Sequence, residues 1–366
     1  MSTTPEWRRP MRPRDKHEQH RVATPLELLF DLCFVVAIAV AGRLLHHSIS
    51  EHHVAHGIVA YLLVFFAIWW AWMNFTWFAS AYDTDDVPYR LTVLVQIAGV
   101  LVLAAGVENA FEGDYGIVTL GYVIMRAGLV TQWLRAAHAD PRRRRTARRM
   151  ALGVSACMVG WGLILLTHDT LHLVLFLVMV GLELAVPLWG ERGVRTPWHP
   201  HHIAERYGLL FIIVLGEIIL STTLAVQAGF VQERHWWVAL SGLVIVFAFW
   251  WLYFDEPAHH RLVDNRHAFT WGYGHYVVFA SAAAIGAGIA VVVDGTTSRL
   301  TASLAVAVPT AILLVALWVL HLRRSWLLPA AAVLVLASTL VGPALVLVAA
   351  VMVALVAAWI ATTPAR

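Results

Sequence analysis

Long apolar runs recur along the whole chain, separated by short polar segments. A membrane-spanning helix needs about 20 mostly apolar residues, and twelve runs meet or approach that length. The predicted spans are 26–46, 56–81, 90–109, 115–137, 150–167, 171–190, 203–226, 236–255, 269–293, 299–320, 325–341 and 343–362. Only Gly342 and Pro343 divide the last two, so one kinked helix or a re-entrant pair is the alternative there. The pattern predicts an all-α integral membrane protein with about 12 transmembrane helices.

The composition agrees with this prediction. Of 366 residues, 60% are hydrophobic and only 13% are charged, and the mean hydropathy is +0.70. Soluble domains carry nearer a quarter charged residues. The two cysteines, Cys33 and Cys157, lie inside apolar runs, which favours buried packing over a disulfide or a metal site. These features exclude an ordinary soluble domain, and the short basic segments give no nucleic-acid-binding pattern.

Arginine predicts the orientation. Cytoplasmic loops of membrane proteins carry an excess of Lys and Arg. The basic tail, residues 1–23, is therefore expected to be cytoplasmic, with the first span retained as a signal anchor in the bacterial inner membrane. With twelve spans, the remaining arginine-rich segments also fall inside and both termini are cytoplasmic. The cations concerned are Arg8, Arg9, Arg12, Arg14, Lys16 and Arg21 of the tail, then Arg142–Arg149, Arg192, Arg195, Arg261, Arg266, Arg323 and Arg324.

The chain also resembles two six-helix halves, 24–190 and 203–362. Glu27 begins the first half as Glu205 begins the second, and the Trp69-Trp70 pair matches Trp250-Trp251 at a similar offset. Six spans is an even number, so both halves would insert in the same orientation. The identities are few, and chance is the alternative explanation.

The first span begins T-P-L-E-L-L-F-D, where Thr24 is the expected N-cap. Glu27 and Asp31 lie four residues apart and so share one helix face. A charge near the bilayer centre costs roughly 2.5–3.5 kcal/mol on insertion scales, so this face needs a partner in the fold. Span 7 offers Glu205 and Arg206 at its start, and Glu217 past its middle.

Other polar residues at membrane depth complete the candidate set. Gln96 and His275 occupy matched positions in spans 3 and 9. Two interpretations compete for the set Glu27, Asp31, Gln96, Glu205, Arg206, Glu217 and His275. They line a cavity that binds or relays an ion or solute, or they fix helix packing through hydrogen bonds and ion pairs. For Arg126 and Glu183, structural pairing is the prediction.

Signals for other chemistry are weak. No metalloprotease, nucleophile-elbow, phosphate-loop or C-x-x-C motif is present, so no enzyme activity, cofactor or metal is predicted. His52 and His56 have helical metal-ligand spacing, but a solvated loop is favoured. The tryptophans in 69–77 and 250–251 are read first as interfacial belts, with an aromatic-lined cavity as the alternative. The Arg142–Arg149 run determines orientation and could bind anionic lipid.

Three stretches together resemble the bacterial low temperature requirement A (LtrA) family. They are T-P-L-E-L-L-F-D-L-C-F-V-V-A-I, the tryptophan-rich span ending in Y-D-T-D-D, and H-I-A-E-R-Y-G-L-L-F-I-I-V-L-G-E. The resemblance covers roughly residues 20–360 and implies a multi-pass bacterial cell-membrane protein of a family named for growth in the cold. It brings no established activity or substrate. Its motifs fall here on Glu27, Phe30, Asp31, Glu205, Arg206, Gly208, Gly216 and Glu217.

The leading hypothesis is a transporter or channel for a small solute or ion, with Asp31 and Glu217 as the binding acids. One rival is an intramembrane lipid-modifying enzyme that uses the same acids as general acid and base. The other is a non-catalytic membrane component needed for growth in the cold. A cavity that reaches Glu217 favours transport, whereas a dry and fully paired interior favours the structural rival.

Overall fold

The structure is a computed structural model that describes residues 7–15, 18, 21–167, 169–230, 236–323 and 325–362. Within them it has thirteen α-helices, one short 3-10 helix (Ala258–Arg261) and no strand, so the predicted all-α class is confirmed. Lys16 and Arg324, which the sequence analysis counted among the inner cations, lie outside the described residues. The α-helices are α1 Pro25–Ser50, α2 Val54–Tyr82, α3 Val87–Ala105, α4 Val107–Phe111, α5 Gly116–Ala139, α6 Arg144–Ile164, α7 Asp169–Gly190, α8 Pro200–Phe230, α9 Trp236–Phe254, α10 Asn265–Asp294, α11 Arg299–Leu320, α12 Leu327–Ser338 and α13 Ala344–Thr362.

A helix occupies each of the twelve predicted spans, and ten described helices are long and apolar enough to cross a membrane. The exceptions are α6 and α12. Helix α6 begins inside the arginine run, which lowers its hydropathy. Helix α12 has 12 residues and rises only about 18 Å, less than a hydrocarbon core of roughly 30 Å. Helices α12 and α13 are separate helices in the structure, not one kinked helix.

Contacts group the described residues into two units. Unit 1 takes Met1–Ala37 and Ala67–Arg206, and unit 2 takes Ile38–Phe66 and Tyr207–Arg366. Helices α1, α2 and α8 each contribute residues to both units. These boundaries differ from the halves 24–190 and 203–362, and the proposed repeat stays a prediction.

In unit 1, helices α3, α5, α6 and α7 pack in chain order, each against the next. The α3–α5 contact is the most extensive because both helices present glycine to the interface. A Cβ on Gly99 would lie 2.6 Å from Met125 Cγ and 2.8 Å from the carbonyl oxygen of Gly121. Close backbone approach through small residues is how membrane helices associate without a hydrophobic driving force.

In unit 2, helices α9 to α13 form the packed set, with α10 against α11, α11 against α12 and α13, and α13 against α9. Helix α10 ends at Asp294 and is capped by Gly295, whose φ of +62° is the left-handed conformation that glycine adopts most easily. Gly288 faces α11 so closely that a Cβ there would overlap the carbonyl group of Ala305. This position therefore requires glycine.

Candidate functional site

The first polar site lies in unit 1, where the start of α1 meets the start of α8. It consists of Glu27, Asp31, His202 and Arg206, and is called here the α1–α8 cluster. The Arg206 guanidinium donates to Asp31 through Nη2–Oδ1 at 2.5 Å and Nε–Oδ2 at 3.0 Å, a bidentate pair. Its Nη1 lies 2.9 Å from Glu27 Oε1. Each of the four side chains is at most 2% exposed.

Helix capping fixes Glu27 within this cluster. The Glu27 backbone N–H donates to Thr24 Oγ1 at 3.3 Å, and the Thr24 N–H donates to Glu27 Oε2 at 2.8 Å. This reciprocal pair is a capping box, and it confirms Thr24 as the N-cap. His202 Nε2 also lies 3.2 Å from Glu27 Oε1. Glu27 therefore caps α1 and pairs with α8 at the same time.

The four side chains of the cluster do not balance in charge by themselves. Two carboxylates face one guanidinium, which leaves one negative charge in excess. A proton on His202 or on one carboxylate would cancel it, and the buried Arg21 also acts electrostatically on Glu27. Phe30 and Phe75 cover the cluster with rings 4.0 Å apart, and Phe75 also lies 5.9 Å from the Arg206 guanidinium carbon. The site is buried and paired, as the structural interpretation of Asp31 requires.

Glu205 lies beside this cluster without joining its ion pairs. It is half-buried and accepts a hydrogen bond from the backbone of Ala23. Among the described residues, its Oε2 atom has no hydrogen-bond partner. The neighbour that the sequence analysis missed is His202, one helical turn before Arg206, where the i, i+4 spacing was the available signal.

A second polar site in unit 1 joins Arg126 of α5 to Glu183 of α7. Arg126 Nη2 lies 3.3 Å from Glu183 Oε2 and donates to the Tyr122 hydroxyl at 2.5 Å. The Glu183 carboxylate also accepts the indole N–H groups of Trp70 at 2.8 Å and Trp161 at 3.1 Å. The structure brings together the two residues for which pairing was predicted.

Three of the four tryptophans of α2 are buried, which corrects the interfacial-belt interpretation for them. Trp69, Trp70 and Trp72 are at most 2% exposed. Trp70 donates to Glu183, and Trp72 donates to Asp31 Oδ1 at 2.7 Å. A buried indole needs an acceptor for its N–H, and an intramembrane carboxylate needs donors, so the two pair. Trp250 and Trp251 remain exposed, at 49% and 43%.

Gln96 and His275 are buried in separate hydrogen-bonded groups. In unit 1, Gln96 of α3 donates to Gln132 of α5 at 3.0 Å. In unit 2, His275 Nδ1 donates to the Trp271 carbonyl at 2.7 Å, so its Nε2 is the acceptor. That atom lies 3.1 Å from the Tyr253 hydroxyl and 3.3 Å from His321 Nε2.

Glu217 has a different environment, entirely within unit 2. It is partly buried and lines a cavity of about 350 Å³ between α1, α8 and α10. No described residue forms a hydrogen bond or ion pair with its carboxylate. The polar residues that share the cavity are Arg43, His46, Ser221 and Asp294, and the other lining residues are small or apolar.

The lining residues give the depth of this cavity. Each helix contributes an eight-residue stretch, which is a rise of seven residues. The stretch runs from Ala39 to His46 in α1, from Ala287 to Asp294 in α10 and from Glu217 to Leu224 in α8. At 1.5 Å per residue this is about 10 Å. His46 Nε2 and Asp294 Oδ2 lie 2.6 Å apart where α1 and α10 end. Glu217 is therefore at the bottom and the His46–Asp294 pair at the mouth.

Two glycines of the α8 motif have different environments. A Cβ on Gly208 would lie 2.9 Å from Phe254 Cε1, so Gly208 permits a close ring contact. A Cβ on Gly216 would meet no described atom within 4 Å. Gly216 therefore serves no close helix contact among the described residues, because this face of α8 is open.

The arginine run after α5 is partly engaged within unit 1. Arg143 pairs with Asp140 at 3.0 Å, Arg144 donates to the Ala137 carbonyl, and the Arg149 guanidinium lies 5.8 Å from the Trp189 ring. Arg142, Arg145 and Arg148 are exposed. Within the described part of the chain, no three His, Cys, Asp or Glu side chains converge as metal ligands do.

The ten long apolar helices in the described part of the chain, with buried ion pairs between some of them, define a multi-pass helical membrane protein. Residues 22–364 match the family described as bacterial low temperature requirement A protein (LtrA). The chain belongs to this family. It is also 29% identical over 265 residues to an uncharacterized protein of Rhizobium meliloti (strain 1021), a match that covers 69% of this chain and 62% of that relative.

Proposed function

We propose that this protein moves a small ion or solute across the bacterial inner membrane, with Glu217 as the acid that binds it. The observation that carries the proposal is the environment of Glu217. This acid lies in an apolar helix beside a cavity, and no described residue forms an ion pair with it. A dry, unpaired carboxylate is too costly to keep ionised. Glu217 is therefore protonated, hydrated through the cavity or bound to a cation, which are the states a coupling acid passes through.

The paired acids support a division of roles. Asp31 and Glu27 are held by Arg206, and Glu183 is held by Arg126 and two indoles. Losing such a partner costs stability, so these acids serve packing first. Glu217 can exchange its ligand without breaking a described contact. Under the orientation predicted from arginine, its cavity opens at the periplasmic end and both termini are cytoplasmic.

Lipid modification is less well supported. Unit 2 also contains an apolar groove of about 450 Å³ between α1, α2, α10 and α11, of a size suited to an acyl chain. Its lining includes Tyr61, Ser281 and Thr301 but no carboxylate, histidine, lysine or arginine. General acid–base chemistry on a lipid in this groove would lack its titrating groups.

The test is flux into proteoliposomes that contain a pH dye, with and without gradients of H⁺, Na⁺, K⁺ and Mg²⁺. The wild type is compared with Glu217→Gln, and Glu112→Gln serves as the matched control because Glu112 is an exposed acid at the end of α4. We expect flux in the wild type and the control, and loss of flux in Glu217→Gln with unfolding unchanged. Equal flux in all three would refute the role of Glu217. Chemical modification of the liposome lipids by the protein would instead support the lipid-modifying enzyme.

A further inference from the structure

A buried polar cluster in unit 2 joins three helices, at the ends of α9 and α11 that the arginine pattern places near the cytoplasm. Tyr253 is the second-last residue of α9, His275 lies in the first half of α10, and His321 directly follows α11. Each of these side chains is at most 4% exposed. The cluster lies outside the set of residues that line the Glu217 cavity.

The three side chains meet at one atom, the Nε2 of His275. Because His275 Nδ1 donates to the Trp271 carbonyl at 2.7 Å, the lone pair of the neutral ring is on Nε2. The Tyr253 hydroxyl lies 3.1 Å from this atom, and His321 Nε2 lies 3.3 Å from it. One lone pair serves one donor well, so hydrogen bonding alone leaves two groups in competition for the same acceptor.

The distances match the spacing of ligands around one transition-metal ion. Zn²⁺ binds histidine nitrogen at about 2.0–2.1 Å, so two ligand atoms of a tetrahedral site lie about 3.3–3.4 Å apart. The distances of 3.3 Å and 3.1 Å from His275 Nε2 are close to this spacing. A histidine that ligates a metal also usually donates its other ring N–H to a carbonyl or carboxylate, as His275 does to Trp271.

The chemistry of the donors selects the kind of metal. Imidazole nitrogen suits Zn²⁺, Cu²⁺ and related ions, whereas Mg²⁺ and Ca²⁺ prefer a larger set of oxygen ligands. The third donor is a phenol, and Tyr253 would supply a negative charge on losing its proton to the solvent. Arg261 acts electrostatically on His321, but it is paired with Glu256 at 2.8 Å, which offsets its charge.

We propose that His275, His321 and Tyr253 bind one transition-metal ion of the Zn²⁺ type, which ties the ends of α9 and α11 to α10. Three protein ligands leave the fourth tetrahedral position for water or another small ligand. The site does not depend on transport by Glu217.

The experiment is a metal titration of the purified full-length protein, without a histidine tag and stripped of metal by a chelator. Co²⁺, Zn²⁺ and Mg²⁺ are compared, visible absorption reports the geometry around Co²⁺, and elemental mass spectrometry counts the bound ions. The test variants are His275→Gln and Tyr253→Phe, of which the second keeps the ring and removes only the ligand oxygen. The matched control is His52→Gln with His56→Gln, the exposed pair with helical metal-ligand spacing.

We expect the wild type and the control to bind about one Co²⁺ or Zn²⁺ per chain, with tetrahedral Co²⁺ absorption, and neither to bind Mg²⁺ comparably. Loss of an outer partner of a metal ligand weakens binding about 10–100-fold, so loss of the His275 ligand itself should weaken it about 100-fold or more. Tyr253→Phe should also weaken binding, and it should remove the release of about one proton per bound ion.

Three results would overturn the proposal. The first is a wild type that binds no Co²⁺ or Zn²⁺, or binds them no more tightly than His275→Gln does. The second is loss of binding in the His52/His56 control, which would place the metal in the histidine-rich segment after α1. If His275→Gln does not fold, Tyr253→Phe decides, and unchanged affinity with unchanged proton release in that variant is the third.

Discussion

Replacement of Arg206 by glutamine is the sharpest test of the α1–α8 cluster. Arg206 is the cluster's one guanidinium and serves both Asp31 and Glu27. Glutamine keeps a polar side chain in the same place but removes the charge. The variant would bury two carboxylates without the cation that pairs with both of them, and His202 beside them carries charge only when protonated. Asp31→Asn is the informative comparison, because Arg206 then still faces Glu27 and the remaining charges balance.

The structure gives different magnitudes for the two variants. Breaking a buried ion pair by removing one partner costs about 3–5 kcal/mol, and here one cation serves two acids, so we expect about 5 kcal/mol for Arg206→Gln. Asp31→Asn weakens the three hydrogen bonds that the Asp31 carboxylate accepts from Arg206 and Trp72, and should cost about 1.5–3 kcal/mol. The double variant should cost less than the sum of the single variants, by about 1–3 kcal/mol, because the second change removes a charge that the first left unpaired.

The assay is the free energy of unfolding of the detergent-purified protein, from denaturant titration followed by circular dichroism. Arg192→Gln is the control, since Arg192 is exposed and should change the free energy by less than about 0.5 kcal/mol. If Arg206→Gln were no more destabilising than Asp31→Asn, or if their effects simply added, Arg206 would not be the shared counter-ion of this cluster.

Two further predictions concern a loop acid and a helix contact. Burial, followed by the negative charge of Glu27, raises the pKa of Asp83 from 3.8 to about 6. The folded state therefore binds the proton more tightly, so the free energy of unfolding should fall between about pH 4 and pH 6 and then level off. The fall should amount to at most about 3 kcal/mol, and Asp83→Asn should abolish it. The same dependence of the unfolding free energy on pH in the variant and the wild type would contradict this prediction. Gly288→Ala should lower the free energy of unfolding by about 1–3 kcal/mol, because the added methyl group overpacks against α11. Gly216→Ala is the control and should not lower it, because Gly216 faces open space. Equal unfolding curves for the two variants would refute the close contact at Gly288.

The sequence by itself determined the helices. An uninterrupted apolar run in a bilayer can adopt few structures other than an α-helix, because its backbone N–H and C=O groups must form hydrogen bonds within the segment. Local signals also identified the Thr24 cap, since capping depends on residues three apart. The pairing of Arg126 with an acid could be predicted because a buried cation in an apolar helix has few possible partners.

Only the tertiary structure decided which acid has a partner. Asp31 and Glu217 are similar acids in apolar helices, yet Asp31 meets Arg206, 175 residues away, while Glu217 faces a cavity. The burial of Trp70 and Trp72 was likewise invisible, because an apolar helix shows little difference between its lipid-facing and protein-facing sides. In a membrane both sides are hydrophobic, so sequence patterning that orients a soluble helix is lost, and packing alone assigns the faces.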